Sequence, residues 1–236
     1  MWSASVAFAI AACSGPMQPS PTLQLFVDIP GVGPTRVNVP RPDLNPPCTP
    51  ALAAGQTIAE RAAALRTIGL FADRASLSDA DLGTAITSEI SDDWGGQIQS
   101  DDPFIELFVA DQDGSRVWWA DLEADVADGN GVYVDTIQAL AAISGASFMP
   151  TAVQERWTSD TGPVTVTFDL AAETRSLQPE YLEDWIDPRI LVPLNQMISA
   201  NGRRFETFAA FDQTAFVIAV TEPEKQALIS RGWCFD

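Results

Sequence analysis

The densest run of chemically capable side chains is Asp121, Glu123, Asp125 and Asp128, which stand beside the tandem Trp118 and Trp119. Carboxylates at alternate positions share one face of a strand, and the spacing 121, 125, 128 shares one face of a helix. In either geometry they repel one another unless a cation or a proton intervenes. The run is therefore a candidate to hold Ca²⁺ through Asp121, Asp125 and Asp128, or to supply an acid–base pair. The plainer reading is the solvated side of an amphipathic element, and a chain this acidic favours it. Alternation along a strand sends Trp118 and Trp119 to opposite faces. One of them is then expected in the core, and the other is the best single candidate for an exposed contact.

A second acidic patch, Glu180, Glu183, Asp184 and Asp187, surrounds Trp185. Glycoside hydrolysis needs two carboxylates at a set separation across a cleft, and nothing in the sequence sets such a pair. Asp111-Gln-Asp-Gly-Ser115 is superficially like a calcium loop, but Leu122 stands where the twelfth-position Glu would be. A hairpin turn accounts for the Asp-Gly step. The chain has no phosphate-binding loop, dinucleotide fingerprint, nucleophile elbow or cysteine metal cluster. Nor has it a single histidine. That removes Ser-His-Asp and Cys-His catalysis and histidine-held zinc, leaving carboxylates, Tyr, Arg and Lys225 for any mechanism. A net charge of -19 over 236 residues opposes nucleic-acid binding. No cofactor is expected.

The N-terminus points to a compartment. Met1–Ala12 is apolar, uncharged and too short to span a bilayer as a helix, and it leads into Ile10-Ala-Ala-Cys13-Ser14. This run resembles the lipobox of bacterial lipoproteins. The resemblance implies lipidation at Cys13, membrane attachment through that lipid, and a place in the cell envelope facing periplasm or exterior. The alternative is an N-terminal element packed into the fold, with an incidental cysteine. If Cys13 carries lipid, Cys48 and Cys234 remain as a pair, and a bridge between them suits an oxidising compartment; the alternative is two unpaired buried thiols.

The elements that would position these groups give an α+β chain, with antiparallel sheets built from hairpins and backed by helices. Residues 1–12 read as a signal segment and 13–21 as a Pro-rich tether; 22–50 is an N-terminal hairpin (Leu23–Asp28, Thr35–Val39) with a Pro-rich connector. Residues 51–236 form the globular body, as one unit or as two packed halves, 51–150 and 151–236. In it, Thr57-Ile-Ala-Glu60 is a capping box opening a helix with Ala62, Leu65 and Ile68 on one face. Ser78 with Asp81 opens a second helix. Phe104–Ala110 and Arg116–Trp119 read as a hairpin, and 132–144 as an amphipathic helix stopped by Gly145. The C-terminal part reads as ββα twice: strands 164–170 and 174–177 with helix 187–200, then strands 205–211 and 215–220 with a helix opened by Thr221-Glu-Pro-Glu224. Pro193 is expected to kink or restart the first of these helices.

Several runs of the body, among them Val117-Trp-Trp-Ala-Asp-Leu-Glu-Ala-Asp-Val126, Glu180-Tyr-Leu-Glu-Asp-Trp-Ile-Asp187 and Phe211-Asp-Gln-Thr-Ala-Phe216, together resemble a group of bacterial proteins of unassigned function. The resemblance covers residues 104–235 and implies a reused module; it carries no activity, cofactor or site. The resulting expectation is a non-catalytic envelope lipoprotein whose acidic module binds another envelope protein. Two alternatives stay open. One is a carboxylate-based hydrolase or Ca²⁺-dependent carbohydrate-binding module, and the other a cytoplasmic interaction protein without export.

Overall fold

A computed structural model describes residues 23–29, 33–39, 55–94, 102, 104–211 and 213–235, with the backbone alone at 23–29, 33–39, Trp94 and 209–211. The chain divides into two units, Met1–Asp43 and Leu44–Asp236. In the first, β1 (Leu23–Ile29) and β2 (Gly33–Val39) form the antiparallel hairpin expected from the sequence, with Leu23 opposite Val39 and Ile29 opposite Gly33. The signal segment, the tether, Cys13 and Cys48 lie outside the described residues.

In the second unit, local signals set the helix ends. Thr57 opens α1 (Ile58–Ile68): its Oγ1 accepts the Glu60 N–H at 3.2 Å, while Glu60 Oε2 accepts the Thr57 N–H at 2.7 Å. The helix closes on Gly69 at φ 117°, a left-handed conformation that a side chain would strain. Ser78 opens α2 (Asp79–Trp94), its Oγ accepting the Asp81 N–H at 3.1 Å. Gly83 sits inside α2 because α1 passes there; a Cβ on it would stand 2.4 Å from the Ala59 Cβ.

The run expected as a strand at Phe104–Ala110 is instead a helix, α3 (Ile105–Asp111), with every residue from Ile105 to Ala110 buried. A short continuous apolar run has no period to separate a strand from a buried helix. Asp111–Ser115 is therefore a helix-to-strand connection and not a hairpin turn. The buried Asp113 holds it: Oδ2 accepts the Phe71 N–H at 2.6 Å, and Oδ1 accepts the Ser115 hydroxyl at 2.6 Å and its N–H at 3.2 Å.

The chain continues as β3 (Val117–Asp121), α4 (Val132–Ile143), β4 (Thr151–Trp157), β5 (Val164–Leu170), β6 (Glu173–Leu177), α5 (Leu191–Met197), β7 (Arg204–Phe211), β8 (Thr214–Val220) and α6 (Glu222–Ser230). Two three-stranded antiparallel sheets result, ordered β3-β8-β7 and β4-β5-β6. β4 has no counterpart in the sequence reading: Glu155 and Arg156 interrupt its apolar pattern, and its register with β5 shifts between Thr151 and Gln154.

β8 is the wall between two cores. Phe216, Ile218 and Val220 face a cluster built with Leu65, Ile86, Val109, Leu228 and Trp233; Ala215, Val217 and Ala219 face another built with Ile137, Leu140, Val166, Phe168 and Leu194. The central sheet is thus covered on both sides, by helices on one and by α4, α5 and the second sheet on the other, which makes an α+β fold. The two C-terminal hairpins lie in different sheets, and β3 joins β7 and β8 from before residue 150. Residues of both 51–150 and 151–236 therefore build each core.

Asp187 caps a 3-10 turn (Pro188–Ile190), and the helix restarts at Leu191. Pro193 then falls in the first turn of α5, where its missing N–H forfeits no helical bond. The helix stops at Met197, short of the expected Ala200. Asn195 then acts as a surrogate strand beside β7: its Nδ2 donates to the Phe205 carbonyl and its Oδ1 accepts the Phe205 N–H, each at 2.8 Å. Asn195→Ala leaves both backbone groups without that partner and is expected to lower stability by about 2 kcal/mol. Urea unfolding checks this, and an unchanged midpoint would mean that water replaces the amide freely.

Candidate functional site

β3 ends at Asp121, and the backbone beyond it is held on both sides. The Leu122 N–H donates to the Gln213 carbonyl, the Leu122 carbonyl accepts the Ile186 N–H, and the Ala124 N–H donates to the Asp184 carbonyl, each at 2.8 Å. Glu123 and Trp185 thereby form an antiparallel bridge. This exchange brings together the two acidic runs that the sequence separates by about sixty residues.

Alternation sorts the side chains there. Leu122, Ala124 and Val126 turn into the second core, while Asp121, Glu123, Asp125 and Asp128 are exposed. Asp121 Oδ1 accepts the Glu123 N–H at 3.1 Å. Asp125, at φ 46°, is steadied by Asn130, whose Nδ2 donates to the Asp125 carbonyl at 2.9 Å and to Oδ2 at 3.0 Å. From the other run, Glu183 and Asp184 are exposed, and Trp185 shows 38% of its surface to solvent. The result is a partly exposed indole paired across the bridge with Glu123, with exposed carboxylates at Asp121 and Asp125 flanking Glu123 and at Glu183 and Asp184 preceding Trp185. Such a surface suits a cation: an ammonium or guanidinium group can lie over the indole face while the carboxylates attract it. Among the described residues no group of three or more acidic or cysteine side chains is placed to hold a metal ion. Asp121, Asp125 and Asp128 are not gathered into such a group.

The tryptophan pair corrects an expectation. Trp118 and Trp119 do point to opposite faces of β3, but both are half-buried, because neither face of the central sheet is left to solvent. Trp118 packs on the second core. Trp119 stacks on Phe108 with centroids 5.2 Å apart, meets Phe216 edge-on, and donates its Nε1–H to Thr214 Oγ1 at 3.0 Å. Among the described residues the exposed large aromatic is Trp185, whose signal in the sequence is its acidic neighbours on both sides.

Other acids that could suggest chemistry serve the fold. Asp187 is buried, taking the Glu180 and Arg189 N–H groups and the Arg189 guanidinium. Its own N–H donates to the hydroxyl of fully buried Tyr133, whose pKa burial pushes up to about 12. Glu155, reaching from β4, accepts the Tyr133 N–H at 2.9 Å near the start of α4, together with the Trp157 indole N–H at 3.0 Å. Glu106 is wholly buried. Its Oε1 accepts from Arg231 Nε and Trp233 Nε1 at 2.9 and 2.8 Å, and its Oε2 from Arg61 Nη1 and Arg231 Nη2 at 3.2 and 2.8 Å. That network ties the C-terminal residues to α1 and α3. Cys234, next to Trp233, packs partly buried against the first core.

No protein-family model, curated protein or solved structure is significantly similar to this chain.

Proposed function

We propose that the chain is an envelope lipoprotein, attached to the membrane through lipid on Cys13, whose acidic second unit binds a basic segment of another envelope protein over the surface around Trp185. The observation that carries the reading is the convergence of two acidic runs on one exposed tryptophan. Exposed carboxylates raise the encounter rate with a basic partner, and the indole adds contact area where the partner docks. A bridge between Cys48 and Cys234 belongs to the same proposal; it would fasten the Pro-rich connector to the C-terminal residues already held by Glu106. The net charge of -19 argues against a second copy as the partner, since two such surfaces repel.

The test places a photoreactive side chain at Trp185 and, as a control, at exposed Gln226 on α6, in cells expressing the full chain. A protein cross-linked from position 185 and not from 226 is expected. Its capture should weaken at least tenfold in a Glu123→Lys/Asp184→Lys variant, and weaken further as salt rises. Equal yields from both positions, or capture indifferent to charge reversal, would contradict the assignment of this surface.

A further inference from the structure

No further inference is drawn: the strongest candidate, the open groove along α1 and α2 between Gln56 and Asp92, is a stripe of small residues (Ala59, Ala80, Gly83, Thr87, Ser88) with nothing in the described structure to show what covers it.

Discussion

Glu106→Gln is expected to destabilise the second unit by about 3–5 kcal/mol, because it removes a buried negative charge that two guanidinium groups share. Glu106 is 0% and Arg61 3% exposed, so water does not reach this contact to replace the lost charge. Arg231 is more open, at 19% of its side chain, which puts the effect toward the lower end of that range. At about 2–4 °C per kcal/mol for a unit of this size, the melting temperature should fall by roughly 10 °C. The loss should also loosen the C-terminal residues, since Arg231 and Trp233 both dock on this carboxylate. Thermal unfolding followed by tryptophan fluorescence measures both effects. A shift below about 1 kcal/mol would mean that packing of Trp233 against Phe208 and Phe216, and not the ionic network, holds the tail.

The opposite sign is expected at Asp111. Burial at the end of α3, with repulsion from Asp93 as the smaller cause, pushes its pKa up to about 6. The C-terminus of a helix is also an unfavourable place for negative charge. The native state therefore binds this proton more tightly than the unfolded chain, whose aspartates titrate near ~3.9. Stability from this group is fully present below ~3.9 and falls as pH rises toward about 6, by up to ~1.4 kcal/mol per pH unit. Asp111→Asn removes the ionised form and is expected to stabilise the protein by about 1–3 kcal/mol at pH 7, with little change at pH 4. Urea unfolding of both proteins at pH 4, 5, 6 and 7 checks the sign. Parallel profiles would show that Asp111 ionises in the native state as freely as in the unfolded one.

These two acids show where sequence reading stops. Helix ends were legible because their causes are local: Thr57 with Glu60, Ser78 with Asp81 and Thr221 with Glu224 each place a hydroxyl within three residues of the N–H it accepts. The hairpins at 23–39, 164–177 and 204–220 were legible from alternation and turn residues. Glu106 was not, because it sits in an apolar run that reads equally as strand or buried helix, and its partners lie 45 and 125 residues away in sequence. For the same reason the tryptophan pair is only half legible: period two gives opposite faces, but only the long-range packing of a core on each face of the central sheet decides that both are covered. The acidic surface was legible as two separate patches. What joins them is a backbone exchange between 122–124 and 184–186, and an isolated bridge of that kind has no sequence pattern.

The lipid on Cys13 sets the compartment in which any partner would be met, and intact mass of the protein from membrane and soluble fractions, with and without reduction, tests for it. The expected result is a membrane-bound chain beginning at a lipid-modified Cys13, with its mass rising by two hydrogens on reduction as the Cys48–Cys234 bridge opens. A soluble, unprocessed chain beginning at Met1, its mass unchanged by reductant, would contradict both the anchor and the bridge.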